Sequence, residues 1–201
     1  MAKKKTQPRL KFHPVTPSRW KDFEKLFGDN GACGGCWCMS PRLTSAEFVQ
    51  TKGSAHKRAI KEIIESGKPP GVIGYSGSEP VAWCCVGPRE EFIRLQNSRT
   101  LKPIDNQPVW CIPCLFVAKQ FRKANLSSKA VDAAAKYAFS KGASIVEGYP
   151  NDTRDKKWAD PFAWMGLVSS FEKAQFKIVK RPSPSRAIMR RYKSPKIKSA
   201  K

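Results

Sequence analysis

Apolar residues recur along this chain with two periods, and each period marks an element. Leu10 to Val15 alternates apolar and polar positions, which predicts a strand with one buried face. Thr16-Pro17 then offers an N-cap followed by proline at the first helical position. Trp20, Phe23 and Phe27 share one helical face and read as core, and Gly28 stops that helix. A capping box at Thr44 and Glu47 announces a second helix. Ala59, Ile60, Ile63 and Ile64 form the buried stripe of a third, which Gly67 and Pro69-Pro70 end.

Gly71 to Tyr75 and Pro80 to Val86 are β-rich runs around Ser76-Gly77-Ser78-Glu79 and predict a hairpin. Pro88 to Pro108 is a long polar connection, a length that suits a loop beside a functional surface. The strand Val109 to Ala118 contains Pro113, which donates no hydrogen bond, so the strand must bulge or lose pairing there. After the turn Arg122-Lys123-Ala124-Asn125-Leu126-Ser127, the pattern predicts a helix over Ser127 to Lys141. Ala130, Val131, Ala134, Ala135 and Ala138 form its buried side, and Gly142 closes it. Ser144 to Tyr149 follows as a strand, Trp164 to Ala174 as a helix, and Phe176 to Val179 with Ala187 to Met189 as closing strands.

Helices, a hairpin, one strand-helix-strand crossover and a last hairpin predict an α+β layer structure. Its sheet is mixed and mostly antiparallel, with one parallel pair. The 201 residues suit one domain, expected over 10–192.

Charge changes this picture mainly at the ends. The chain carries 38 Lys and Arg against 16 Asp and Glu, a formal net charge of +22, which attracts polyanions. Lys3, Lys4, Lys5 and Arg9, then Lys193, Lys196, Lys198 and Lys201, concentrate it in tails expected to be disordered over 1–9 and 193–201. No apolar run has the length of a membrane span and no export signal opens the chain, which predicts a cytoplasmic protein without membrane contact. The seven cysteines are then expected as reduced thiols.

The crossover carries the clearest chemistry. A strand that enters a helix N-terminus through a compact cationic turn is a seat for a pyrophosphate. Backbone N–H groups from Lys123 to Ser128 face such a ligand, with Arg122 and Lys123 adding charge.

Layout and turn together resemble the GNAT family of N-acetyltransferases. Its phosphate-binding motif reads Arg or Gln, any two, Gly, any one, then Gly or Ala. Arg122, Asn125 and Ser127 stand at those positions. Asn tolerates the positive φ that glycine would supply, and Ser is small and able to cap the helix behind it. A second run, Ser170-Phe171-Glu172-Lys173-Ala174-Gln175-Phe176, resembles the family's Leu-Tyr-Glu-Lys-x-Gly-Phe, with Phe171 at the usual tyrosine and Gln175 at the usual glycine. The likeness spans Leu10 to Tyr192, and Gly31 to Met39 with Val81 to Pro88 look like a bacterial branch of the family.

The resemblance implies a sheet with a splayed central strand pair, helices on both faces, and acetyl-CoA as cosubstrate. It implies direct transfer of the acetyl group to an amine acceptor. Phe116, Val117, Arg122, Lys123, Ala124, Asn125, Leu126, Ser127 and Ser128 are the implied cofactor-binding residues. The tyrosine that Phe171 replaces is the family's common general acid, so another group must serve. Glu147, Tyr149 and Asp152 lie where a strand end could face the cleft, although Glu147 reads equally as an ion-paired structural carboxylate. The acceptor pocket is expected from Gly31–Met39 and Pro88–Pro108, with Trp37 and Cys38 as its contacts.

Cys33, Cys36, Cys38, Cys111 and Cys114 invite a zinc assignment. Their spacing is irregular, and Cys111 and Cys114 point to opposite faces of an extended strand unless Pro113 bulges it, so structural thiols and no metal are expected. An acetyl-cysteine on Cys114 is a further reading. His13 and His56 read as surface or structural groups. The +22 charge keeps a second function open, a basic nucleic-acid-binding protein on a degenerate transferase scaffold, with weak contact through the tails.

Overall fold

The computed structural model describes residues 10–122, 125–152 and 164–195. Seven strands form one sheet: β1 (Leu10–Pro14), β2 (Gly71–Ser76), β3 (Glu79–Pro88), β4 (Trp110–Val117), β5 (Ile145–Gly148), β6 (Lys177–Ser183) and β7 (Arg186–Tyr192). Their order is β1-β2-β3-β4-β5-β7-β6. Only β4 and β5 pair in parallel; the other neighbours are antiparallel. The α+β expectation therefore holds in its class and its single parallel pair.

Helices cover both faces. On one face α1 (Trp20–Phe27) and α3 (Ser54–Glu65) bury Phe23, Phe27, Ile60 and Ile64 with Trp37, Trp83 and Ile73. The short α2 (Ser45–Gln50) begins at the expected capping box: Thr44 Oγ1 accepts from the Glu47 N–H at 3.3 Å and Glu47 Oε2 from the Thr44 N–H at 2.8 Å. On the other face α5 (Leu126–Ser140) lays its small residues Ala130, Ala134, Ala135 and Ala138 against Val72, Val81, Ile112 and Val146. Small side chains let that helix lie close to the sheet.

Three expected boundaries move. The 88–108 connection carries a helix of its own, α4 (Ile93–Gln96). The predicted helix from Trp164 shrinks to α6 (Val168–Lys173), because Trp164 and Met165 form a turn, Gly166 takes φ 81° and Leu167 is extended and bridges to Asn151. Lys193, assigned to the tail, donates its N–H to the Ser144 carbonyl at 2.9 Å.

The bulge at Pro113 is present and has a consequence for the faces. Cys85 pairs with Cys114 and Gly87 with Cys111, so β4 has one residue more than β3 in that interval. Strict alternation would put Cys111 and Cys114 on opposite faces. The extra residue turns both into the core under α1 and α3.

Candidate functional site: a cleft in the split sheet

The pairing of β4 with β5 stops at Ile112 and Gly148, while β4 continues beside β3 to Val117. Past that point the two strands diverge, and a cleft of about 560 Å³ occupies the split. Its floor is Leu115, Phe116 and Val117 of β4. One end is the turn and first residues of α5, with Phe121, Arg122, Asn125, Leu126 and Ser127; a wall comes from Trp164, Gly166, Leu167, Ser169, Ser170 and Lys173. At the other end stand Ala32 and Cys33. The cleft thus runs from a helix N-terminus on one face of the sheet to the glycine- and cysteine-rich loop on the other.

Backbone polarity along the floor follows from register. The Ala118 N–H donates to the Val81 carbonyl, so the alternate groups of β4, those of Leu115 and Val117, point away from β3 into the split. The Leu115 N–H meets the Trp164 carbonyl at 2.7 Å. The Val117 carbonyl accepts from Arg122 Nε at 3.2 Å. Phe116, by the same alternation, turns its N–H toward β3, which leaves Val117 as the N–H of the expected pair that faces the cleft.

The turn at the end of the floor is built as its sequence demands. Asn125 sits at φ 54°, ψ 23°, the left-handed conformation that Asn adopts more readily than other side chains. Helix α5 therefore begins at Leu126, one residue earlier than expected, and its first-turn N–H groups have no partner within the helix. Asn125, at the N-cap, makes no side-chain hydrogen bond to them. Ser127 does not fill the capping role, and Ser128 Oγ instead donates to the Asn125 carbonyl at 2.8 Å. Lys173 Nζ donates to Asn125 Oδ1 at 3.1 Å. An open helix N-terminus with Lys173 and Arg122 beside it attracts an anion. Lys123 and Ala124 lie outside the described residues.

Phe171 is fully buried, packed on Phe176 at 5.1 Å between ring centroids. Gln175 takes φ 66°, the conformation a glycine at that place would adopt freely.

Glu147 and Tyr149 are brought together, but in a buried network beside the paired part of β4 and not on the cleft lining. Tyr149 Oη donates to Glu147 Oε1 at 2.7 Å and lies 3.0 Å from Cys111 Sγ. Arg190 Nε holds Glu147 Oε2 at 2.7 Å and forks onto Asp105 at 2.6 and 3.1 Å. Arg89 reaches Tyr149 Oη at 2.5 Å and the carbonyls of Leu95 and Leu101. Burial pushes the Tyr149 phenol well above its ordinary value, and the Cys111 and Glu147 charges add to the rise. The Cys111 thiol is pushed up to about 12, again mainly by burial. Asp152 is engaged by Arg181. This arrangement pins the 88–108 connection to the sheet and matches the ion-paired reading of Glu147.

Trp37 and Cys38 are also off the cleft lining. Both are buried, Trp37 among Trp20, Phe23 and Phe27, and Cys38 beneath Trp83, whose Nε1–H points at Sγ from 3.1 Å. The 88–108 connection is held by residues just beyond Gly31–Met39: Arg42 Nη1 donates to Glu91 Oε2 at 2.7 Å, and the Arg94 N–H to the Pro41 carbonyl at 3.2 Å. The expected loop Gly31–Met39 does reach the cleft, but through Ala32 and Cys33 in place of Trp37 and Cys38, and the wall from Trp164 to Lys173 is what sequence reasoning missed. Its signal was weak, because it reaches the site from a distant segment and only the fold joins it.

His56 is buried and structural, with Nδ1 3.0 Å from the Gly35 carbonyl and Nε2 3.1 Å from Thr51 Oγ1. Among the described residues, no group of three His, Cys, Asp or Glu is placed to hold a metal ion, and no helix is long and apolar enough to cross a membrane.

No family model and no curated protein matches this sequence. Solved structures do match its fold. A GNAT-family acetyltransferase from Listeria monocytogenes is 9% identical with a TM-score of 0.54, covering 91% of this chain and 94% of its own. A polyamine N-acetyltransferase from Drosophila melanogaster, which forms N-acetylagmatine, is 12% identical with a TM-score of 0.53, covering 92% and 100%. The NatC complex bound to Gag peptide and CoA contains a chain 10% identical with a TM-score of 0.51, covering 92% and 99%. With its split mixed sheet and this agreement over nine-tenths of its length, the chain has the fold of the GNAT N-acetyltransferases.

Proposed function

We propose that the protein is an acetyl-CoA-dependent N-acetyltransferase that moves the acetyl group directly to an amine. The observation that carries this reading is the continuous cleft between the open α5 N-terminus and the loop at Cys33. One end offers backbone N–H groups, Arg122 and Lys173 to a pyrophosphate; Asn125, Leu126 and Ser127, with Phe116 and Val117 on the floor, line the cofactor side, and Ser128 follows in the first turn of α5. A GNAT-fold chain belongs to a complex solved with CoA, which supports the same use of the split here.

In the reaction a neutral amine attacks the thioester carbonyl. The C–N bond forms, the C–S bond breaks, and the amine proton leaves as the thiolate is protonated. The Val117 N–H faces the split and suits the carbonyl oxygen, where charge develops. Phe171 supplies no proton, and the Tyr149 phenol is committed to Glu147 and Arg89. The amine proton is therefore taken by water or a group of the acceptor side, and the thiolate receives its proton from water in turn. Seven free thiols suit a reducing compartment such as the cytoplasm.

Calorimetry with acetyl-CoA tests the cofactor half, followed by an amine screen with release of free CoA thiol as the readout. Saturable binding that is weakened in Arg122→Ala and Lys173→Ala is expected. Absence of binding at millimolar acetyl-CoA rejects the reading. Salt-dependent binding to DNA or RNA without binding of acetyl-CoA would favour the nucleic-acid alternative.

A further inference from the structure

Cys33-Gly34-Gly35-Cys36 forms a tight turn in which the Cys36 N–H donates to the Cys33 carbonyl at 3.1 Å. Its central residues take φ +57° and +72°, both left-handed, a type I′ geometry that glycine adopts without strain. A turn closed in this way keeps its end Cα atoms within about 7 Å, inside the usual reach of a disulfide.

The turn is held from behind. The Gly35 carbonyl accepts from the Gly53 N–H at 3.2 Å and lies 3.0 Å from His56 Nδ1, itself buried and stacked on Phe48. The two thiols are also unlike. Cys33 is exposed and lines the cleft, whereas Cys36 is partly covered and points its thiol at the Gly31 carbonyl, 3.6 Å away. Behind them Cys38, Cys85 and Cys114 are buried.

We propose that Cys33 and Cys36 are a redox-active dithiol opening on the cleft, with low-molecular-weight organic disulfides as its substrates. The Cys33 thiolate attacks one sulfur of the disulfide, forming a mixed disulfide and releasing one thiol, which takes the proton. Cys36, as thiolate, attacks Cys33 Sγ and releases the second thiol. Two protein thiols are oxidised and one disulfide is reduced to two thiols, so the step balances. Asymmetry of exposure assigns the roles: Cys33 is the entry thiol and Cys36 resolves. Burial raises the Cys36 pKa, which suits a thiol held in reserve. The exchange does not rest on the acetyl-CoA reading.

The test treats reduced full-length protein with hydroxyethyl disulfide and follows intact mass. Wild type is expected to lose two hydrogens, and Cys38→Ser to do the same, which places the bridge at Cys33–Cys36 once the Leu26–Arg42 tryptic peptide is sequenced. Cys36→Ser is expected to retain one mercaptoethanol adduct on Cys33, and Cys33→Ser to form neither product. A stable adduct on Cys33 in wild type, or a bridge that uses Cys38, overturns the proposal. Acetyl-CoA calorimetry on the reduced protein separates the two readings, since bridging without acetyl-CoA binding removes only the transferase and binding without bridging removes only the dithiol.

Discussion

Phe171 lies so close to Gly148 that a Cβ at 148 would come within 2.1 Å of its Cε1 atom. The ring closes the space where β5 ends and the split begins, and its position depends on a bare backbone there. Phe171 is thus packed into the space that the missing side chains of Gly148 and Gly166 leave, at the place where the resembling family carries a phenol. Gly148→Ala forces the ring or the strand to move and is expected to cost about 1–3 kcal/mol. Guanidinium denaturation measures it, and Phe171→Leu in the same chain should recover part of the loss.

The buried network around Tyr149 predicts a separation of stability from turnover. Arg89→Ala removes the donor to Tyr149, Leu95 and Leu101 and leaves Glu147 with less compensation, at an expected cost of about 3–5 kcal/mol. Tyr149→Phe deletes only the hydroxyl and should cost about 1–3 kcal/mol. Its kcat, measured well below its Tm, is expected to stay close to wild type. A large fall in kcat with unchanged stability would instead assign Tyr149 to the chemistry.

These expectations show where sequence sufficed. Local rules placed the Thr44 capping box and the irregularity at Pro113, because each follows from the residue itself or its near neighbours, and the motif resemblance placed the left-handed Asn125. The fate of Glu147 and Tyr149 was not readable in that way. Strand alternation assigns a face, but only the packing of the 88–108 connection, through Arg89 and Asp105, decides that this face is sealed. The loop Gly31–Met39 was expected at the site, but without periodicity its sequence did not show that Ala32 and Cys33, and not Trp37 and Cys38, line the cleft.

Acid should loosen the molecule through two aspartates. Arg190 forks onto Asp105 and holds its carboxyl below the usual value. For Asp132, partial burial acts upward, but hydrogen bonds from Lys136 and Arg191 outweigh it and the net shift is downward. A folded pKa below the unfolded one means that the folded state binds fewer protons. Stability is then present above the unfolded value of about 3.9 and is lost as pH falls through the folded value. Denaturant midpoints taken from about pH 6 down to about pH 2 should decline, and Asp105→Asn with Asp132→Asn should flatten that decline.

Asn125 offers the sharpest test of the anion end of the cleft. Its left-handed backbone aims the first amides of α5, and its Oδ1 receives Lys173. Asn125→Ala keeps a Cβ in that conformation without the local polar compensation and should destabilise the protein by about 1–2 kcal/mol. It also frees Lys173 and should weaken acetyl-CoA binding. Asn125→Gly removes the backbone strain while losing the same side-chain contact. If backbone direction dominates, Asn125→Gly binds acetyl-CoA as well as wild type and only Asn125→Ala is impaired; if the Lys173 contact dominates, both weaken alike. Because the proposed seat uses the N–H groups of Leu126 to Ser128, whose direction the backbone of Asn125 sets, calorimetry is expected to give the first result.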